Sequence, residues 1–271
     1  MFFQRFLTTL LLVPLVVFGI LHAKPPIIQT VTLLLLGLCA VEWLQLVPCT
    51  QRPQRIAFCG IVFFLFFLLT NMYYLFATIA AITWAFIVLA LLTYPQSLPI
   101  WGRSWISSLW AFILLPLFAN SFLQMSTMPH GRVWLLMLLF LVWTADTAAY
   151  LVGKLCGKHK LIPAVSPGKT LEGSAGGLLG TMLVGWACSI YIQTHNLLQA
   201  SKNLSWFILV FFVFFISLIG DLFISMLKRR VQIKDSGNLI PGHGGVLDRL
   251  DSLIAACPAY YLGIIWLQSG T

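Results

Sequence analysis

The sequence predicts an all-α, polytopic integral membrane protein. Of its 271 residues, 60% are hydrophobic and only 8% are charged, and the mean hydropathy is +0.95. A composition this apolar is typical of a chain that crosses a bilayer several times. No break between the apolar runs is long or polar enough to form a soluble domain.

Nine apolar runs are long enough, or nearly so, to span a membrane, and the third and last are short. In chain order they cover residues 6–21, 27–47, 56–70, 73–92, 105–123, 133–152, 173–192, 206–227 and 253–267. The first run has no convincing cleavage site after it, so we expect a retained helix rather than a signal peptide. The chain is therefore predicted to be one transmembrane domain of about nine helices.

Charged residues are distributed unevenly across this predicted bundle. With nine helices, every Lys and Arg except Lys24, Arg132 and Lys202 falls on the side of the N-terminus. The positive-inside rule places that side in the cytoplasm and the C-terminus outside it. All the acids fall in the same half: Glu42, Asp146, Glu172, Asp221, Asp235, Asp248 and Asp251.

Ionisable residues near a bilayer mark functional sites, but they also set topology and bind anionic lipid. For Glu42, Arg52, Arg55 and Arg103 we prefer the topological interpretation, because nothing around them in the sequence resembles a site. The two long cytoplasmic loops differ, since topology requires charge but no particular order of Gly, Pro, His and Asp.

The segment from Lys234 to Ser252, KDSGNLIPGHGGVLDRLDS, predicts phosphate binding. Pro241, Gly242, Gly244 and Gly245 forbid regular helix and allow a tight turn. Backbone N–H groups of such a turn, together with the N-terminus of the helix that follows, attract anions.

Carboxylates flanking this turn predict a Mg²⁺ site. If the last helix begins near Gly245, Asp248 and Asp251 lie on one face of it, and Asp221 comes from the preceding helix. Carboxylate oxygens that leave coordination places for substrate phosphates suit Mg²⁺. The alternative is a network of ion pairs with Lys228, Arg229 and Arg230 that joins the two helices.

A second segment, from Asp146 to Gly173, also suggests phosphate binding. Its Gly168-Lys169-Thr170 resembles the end of a P-loop, but Pro163 stands where the first glycine is required, so this is not a Walker A motif. A basic loop with the hydroxyl groups of Ser166 and Thr170 remains. His159 is expected to be a solvated loop residue.

The two segments together resemble the phosphatidate cytidylyltransferases, also called CDP-diacylglycerol synthases. The resemblance covers Asp146 to Asp251. Its positions are Ser225, Lys228-Arg229, Lys234-Asp235, Gly237, Pro241, His243-Gly244-Gly245, Asp248-Arg249 and Asp251, preceded by Asp146 to Gly153 and Ser166 to Gly173. We therefore expect residues 1–130 to be helices without site motifs and residues 131–271 to form the catalytic part.

The resemblance implies that CTP and phosphatidic acid react to give CDP-diacylglycerol and pyrophosphate, with Mg²⁺ as cofactor. It implies no nucleic-acid partner, contact with membrane lipids, a possible homodimer, and a bacterial inner membrane with the active site facing the cytoplasm. We expect neither disulfides nor zinc, because the six cysteines form no close pair in the sequence.

Each candidate residue has a predicted role. The metal ligands are Asp221, Asp248 and Asp251. The catalytic groups are Lys228, Arg229, Lys234 and Arg249, which bind phosphates, and His243, which orients a phosphate or transfers a proton. The substrate-binding residues are Asp146, Ser166, Lys169, Glu172, Ser225, Gly244 and Gly245.

Two other classes of protein share some of these features. A membrane kinase acting on a polyprenol also needs acids and cations at the cytoplasmic face. A transporter for an anionic solute is expected to place its charges near mid-membrane between repeated halves. This chain has no visible repeat, and its acids lie away from the centre.

Overall fold

The structure is a computed structural model that describes residues 2–47, 51–239 and 244–269, with side chains from residue 10 onward. The described chain is mainly helical. Its helices are α1 (Phe2–His22), α2 (Pro25–Leu46), α3 (Arg52–Leu92), α4 (Leu98–Trp101), α5 (Ser104–Thr127), α6 (Gly131–Cys156), α7 (Leu171–Thr194), α8 (Asn203–Arg230) and α9 (Leu247–Gln268), with a 3₁₀ turn at Ala200–Lys202. The prediction of an all-α membrane protein is confirmed.

Among the described residues, seven helices are long and apolar enough to cross a membrane. This number counts α3 once and leaves out α1, whose described part, Leu10–His22, is a shorter apolar helix. The predicted total of nine crossings therefore stays a prediction.

The third and fourth apolar runs, predicted as separate helices, lie in the single 41-residue element α3. Backbone angles at Met72 (φ −127°, ψ 28°) are not helical and divide α3 into two arms, residues 52–71 and 73–92. Just after the bend, the Tyr73 hydroxyl lies 2.7 Å from the Ser121 hydroxyl, near the end of α5. The bend thus lies at the end of the bundle opposite to the start of α5.

Ring contacts on either side of the bend show that the two arms run in opposite directions. In the first arm, the Phe58 ring lies 4.9 Å from that of Phe112. In the second arm, the Phe86 ring lies 6.3 Å from that of Trp110. Both arms therefore meet α5 at the same level, so α3 crosses the bundle and returns.

The three basic residues predicted to lie away from the others do so, and Lys24 immediately precedes the start of α2. The Arg132 guanidinium at the start of α6 donates to the carbonyls of Leu21 and Ala23, at 2.6 and 3.1 Å. The Lys202 ammonium at the start of α8 lies 5.7 Å from the Trp266 ring near the end of α9. These contacts mark the end of the bundle opposite to the acidic residues.

Glycines let the helices that carry the acids approach closely. A Cβ at Gly177 of α7 would lie 2.8 Å from the carbonyl oxygen of Ala145 on α6. A Cβ at Gly220 of α8 would lie 2.6 Å from the carbonyl oxygen of Asp251 on α9. Small residues at such crossings allow backbone-to-backbone packing in membrane bundles. The packing sets the spacing between the site helices.

A short antiparallel hairpin joins α6 to α7, where we predicted an irregular loop. It consists of β1 (Lys160–Ile162) and β2 (Ser166–Thr170). Thr170 also caps α7, because its side chain accepts a 3.0 Å hydrogen bond from the Gly173 N–H. The hairpin thereby leads directly into a transmembrane helix.

An aromatic cluster attaches the N-terminal helices to α8. The Phe223 ring contacts Trp43 of α2, Trp84 of α3 and Trp110 of α5, with centroids 6.1, 5.6 and 5.2 Å away. Since Phe223 lies two residues beyond Asp221, residues 1–130 pack directly beneath the candidate site.

Cysteine labelling tests the antiparallel arms of α3. A membrane-impermeant thiol reagent should label Gln96→Cys from the same side as Gln232→Cys, because α3 as a whole begins and ends at one face. It should label Asn71→Cys, beside the bend, only from the other side. Residue-specific mass spectrometry separates these products from native cysteines. Labelling of residues 71 and 96 from a single side would contradict the arrangement.

Candidate functional site

The candidate site lies at the end of the bundle where α2, α6 and α8 finish and α7 and α9 begin. Every acid of the sequence is at this end, as predicted. Asp235 is exposed, and the other six form three groups. One surrounds Lys169, one holds the loop before α9, and one closes the turn before the hairpin.

The first group is a cluster of carboxylates around a single ammonium. The Lys169 ammonium, from strand β2, lies 2.6 Å from a carboxylate oxygen of Asp221 on α8. Asp146 on α6 and Asp251 on α9 both interact electrostatically with Asp221 and with Lys169. The Ser225 hydroxyl donates to the other Asp221 oxygen at 3.4 Å. Three helices and the hairpin therefore meet at this point.

Asp248 forms the second group, and both its oxygens are bound by the protein. One oxygen lies 2.7 Å from the Lys228 ammonium, and the other accepts the N–H groups of Ser236 and Gly245 at 2.7 and 3.0 Å. The two charged side chains are only 14% and 4% exposed. A Cβ at Gly244, where φ is +81°, would lie 2.7 Å from this carboxylate. The turn therefore requires glycine.

Glu42, on α2, holds the same loop from the opposite side. This residue is only 3% exposed. Its carboxylate accepts the N–H groups of Val246 and Leu247, at 2.9 and 2.7 Å, and the Ser236 hydroxyl at 3.3 Å. An acid at the first N–H groups of a helix satisfies donors that have no partner within the helix. The prediction that Glu42 has only a topological role is wrong.

Several of the N–H groups predicted to bind a phosphate are already bound within the protein. Those of Ser236, Gly245, Val246 and Leu247 donate to Asp248 or Glu42. Pro241, Gly242 and His243 lie outside the described residues. Of the first N–H groups of α9 and its preceding residue, those of Gly245, Val246 and Leu247 are therefore not free for a phosphate.

The cations near α8 divide into bound and exposed groups. Arg230 donates to the Ser107 hydroxyl and, at 3.0 Å, to the Leu46 carbonyl, so it ties α8 to α5 and α2. Arg229 is exposed, and its Nε donates to the Val165 carbonyl of the hairpin at 3.1 Å.

Two further predicted phosphate-binding residues, Lys234 and Arg249, are exposed. Arg249 interacts electrostatically with Asp146, which places it beside the first group. These exposed cations lie at the same end of the bundle as the carboxylates.

Glu172 closes the turn between α6 and β1. Its carboxylate accepts the N–H groups of Lys158 and His159, at 3.1 and 3.2 Å, and lies 2.6 Å from Nδ1 of His159. His159 is exposed as predicted, with 75% of its side chain accessible, but it has this partner. Glu172 therefore fixes the loop geometry. Ser166 pairs with Ile162 across the hairpin and is half-buried.

The predicted metal ligands are divided between two groups. Among the described residues, no three His, Cys, Asp or Glu side chains are arranged as a preformed metal site. Mg²⁺ is commonly held by one or two carboxylates together with substrate phosphates. Asp221, with Asp146 or Asp251 beside it, fits that chemistry. Asp248 fits less well, because a metal would have to displace Lys228. The metal role of all these residues stays a prediction.

Comparison with known proteins gives a consistent result. The model of a family described as the cytidylyltransferase family matches residues 3–266. A phosphatidate cytidylyltransferase of Pseudomonas aeruginosa is 35% identical over 269 residues, which cover 97% of this chain and 96% of the relative. Proteins of the same name from Haemophilus influenzae and Staphylococcus aureus are 40% identical over 186 residues and 41% identical over 146. These alignments cover 65% and 53% of this chain, and 64% and 52% of the respective relatives.

Substitution of Glu42 tests its hold on α9. Glu42→Gln places an amide NH₂ against backbone donors, so we expect the free energy of unfolding to fall by about 1–3 kcal/mol. Amide hydrogen exchange in residues 244–247 should also accelerate. The matched control is Asp235→Asn, which removes an exposed acid from the same loop. Unchanged exchange at residues 244–247 in Glu42→Gln would show that the contacts do not hold the loop.

Proposed function

The chain belongs to the cytidylyltransferase family, and we infer that the cluster around Lys169 and Asp221 is its active site. The enzyme transfers the cytidylyl group of CTP to phosphatidic acid, giving CDP-diacylglycerol and pyrophosphate in phospholipid biosynthesis. One observation supports this location above the others: at the cation-rich end of the bundle the partly exposed Lys169 pairs with Asp221, and Asp146 and Asp251 lie within electrostatic reach of both. Family membership decides against the polyprenol kinase and the transporter.

The reaction is mainly an electrostatic problem. An oxygen of the phosphatidate monoester attacks the α-phosphorus of CTP, the bond to the β-phosphate oxygen breaks, and pyrophosphate leaves. The monoester is largely dianionic at neutral pH, since its second pKa is about 6, so no strong general base is required. Positioning and neutralisation of the three phosphate centres supply the catalysis.

Lys169 is the cation best placed to change partners. Its ammonium and the Asp221 carboxylate are 23% and 26% exposed, so an incoming phosphate can reach both. We propose that Lys169 exchanges Asp221 for a phosphate oxygen when CTP binds. Lys234, Arg229 and Arg249, all exposed at this end of the bundle, bind the remaining phosphate charge.

Lys228 has a different proposed role. Because its ammonium is paired with buried Asp248, we assign it to positioning the loop before α9. His243 keeps its predicted role in orienting a phosphate or transferring a proton to pyrophosphate.

We also propose Mg²⁺ as the cofactor. Asp221, with Asp146 and Asp251, would supply its carboxylate ligands, since hard oxygen donors suit this ion. When bound, Mg²⁺ neutralises charge on the transferring and leaving phosphates.

We propose that the active site faces the cytoplasm of a bacterial inner membrane. The chain is a multi-pass membrane protein, and its relatives named above are bacterial. The positive-inside rule supports the orientation, because the site lies at the end that carries most of the Lys and Arg. The homodimer and the bound lipids remain predictions. Large exposed apolar side chains such as Phe64, Phe67 and Leu204 offer surface for both.

A nucleotide comparison tests the proposed function. Purified protein with phosphatidic acid and Mg²⁺ should release pyrophosphate and form a liponucleotide with CTP, but not with ATP, GTP or UTP. Label from the α-phosphate of CTP should enter the lipid, whereas γ-phosphate label should not. Lipid labelled from the γ-phosphate would instead identify a kinase.

The two ion pairs should respond differently to loss of charge. Asp221→Asn breaks a partly exposed pair, so stability should fall by about 1 kcal/mol or less. Turnover should nevertheless drop about 100-fold or more, equivalent to about 2.7 kcal/mol of barrier. Lys228→Gln leaves a buried carboxylate unpaired and should cost about 3–5 kcal/mol of stability. Thermal unfolding and initial rates are measured together.

Arg103→Gln is the control for removing a charge at the same end of the bundle. Its turnover and its melting temperature should remain close to those of the unaltered enzyme. An Asp221→Asn enzyme that keeps most of its turnover would move the active site away from Lys169.

A further inference from the structure

A cleft between α2 and the first arm of α3 lies outside the proposed active site. Its volume is about 580 Å³, within the range of about 300–1,000 Å³ that is usual for small-molecule sites. It is lined by Val41, Leu44, Arg52, Arg55, Ile56 and Cys59. The cleft is therefore mainly apolar, with two arginine side chains in its lining.

The two arginines make this cleft suitable for a phosphate. Arg52 and Arg55 lie three residues apart in the first turn of α3, and both are exposed. Guanidinium groups bind phosphate oxygens in a bidentate manner, and the N-terminus of a long helix adds favourable potential. Topology alone requires positive charge at this position, but it does not require that both side chains line the same apolar cleft.

The apolar lining indicates that the ligand is a lipid rather than a free anion. Val41, Ile56 and Cys59 continue the cleft from the arginines toward the membrane interior. A molecule with a phosphate head and an acyl chain matches this order of charged and apolar groups. The cleft also opens at the end of the bundle where the acceptor lipid is used.

We propose that this cleft binds phosphatidate, with its phosphate on Arg52 and Arg55 and its acyl chain along α2 and α3. This inference rests on the proposed function, because that function makes phosphatidate the acceptor. The cleft lies on the side of α2 that faces away from the loop before α9. Val41 and Leu44 face the cleft, whereas Glu42 between them binds the loop before α9.

Alkylation of Cys59 measures occupancy of the cleft without requiring activity. The enzyme in phosphatidylcholine micelles is treated with N-ethylmaleimide, and the modification of each cysteine is followed by mass spectrometry. Increasing mole fractions of phosphatidate should slow the alkylation of Cys59 several-fold. Cys188 on α7 is also partly accessible and is the internal control, whose rate should not change.

Removing the arginines should abolish this protection. In Arg52→Gln/Arg55→Gln, phosphatidate should no longer slow the alkylation of Cys59. The KM for phosphatidate should rise several-fold, while kcat and the KM for CTP stay constant. The matched control Arg103→Gln/Lys154→Gln removes the same charge from the same end of the bundle and should retain protection. Equal protection in both double variants would overturn the proposal.

The remaining outcomes separate this inference from the proposed function. Equal protection by added phosphatidylglycerol would show a general anionic-lipid site, and protection by inorganic phosphate would show a free-anion site. Either result would overturn the proposal that the cleft binds phosphatidate. Protection of Cys59 in a protein that forms no CDP-diacylglycerol would support the cleft and refute the proposed function. Synthesis without protection would refute the cleft alone.

Discussion

The active-site end of the molecule depends on how two buried carboxylates hold the N-terminus of α9. Glu42 and Asp248 accept four backbone N–H groups of the loop and first turn, which would otherwise be unpaired in an apolar bundle. An unpaired buried polar group costs a few kcal/mol, so these contacts leave the loop little freedom. The position of Asp251, one turn into α9, follows from this attachment, and Asp251 is part of the cluster around Lys169.

The same constraint explains why the acids have different roles. Asp248 is almost fully buried and bound through both oxygens, whereas Asp221 is a quarter exposed. Rigid, fully bonded carboxylates preserve geometry, and accessible ones can exchange a lysine for a ligand. Sequence position does not distinguish the two, because both aspartates lie close to the ends of apolar runs.

Much of the fold was predictable from sequence, and so was the end of the bundle that carries the acids. The length of the apolar runs located the helices, and charge distribution located the acidic end, because both properties are local. Partner choice is not local. Asp248 and Asp221 looked like ligands of one metal, but Lys228 and Lys169 pair with them separately. The sequence shows that the third and fourth apolar runs are adjacent. It does not show whether a loop separates two helices there or one helix bends, as it does at Met72.

Glu42 is the clearest failure of the sequence interpretation, and one signal could have prevented it. It is an acid within an apolar run of a chain that has only seven Asp and Glu residues, which is itself a functional indicator. Its backbone partners, Val246 and Leu247, lie more than 200 residues away, so no local motif identifies it. Residues 1–130 carry no recognisable motif, yet one of them is a structural part of the site.

The aromatic cluster around Phe223 has a consequence for how this chain can change during evolution. Trp43, Trp84 and Trp110 pack on the helix segment that carries Asp221, and Arg230 joins the same helix to α2 and α5. The motif-free half is therefore neither an anchor nor a detachable module. Its sequence can drift as long as apolar volume at these contacts is conserved, whereas insertions are tolerated chiefly at the opposite end, around the turns that precede α6 and α8.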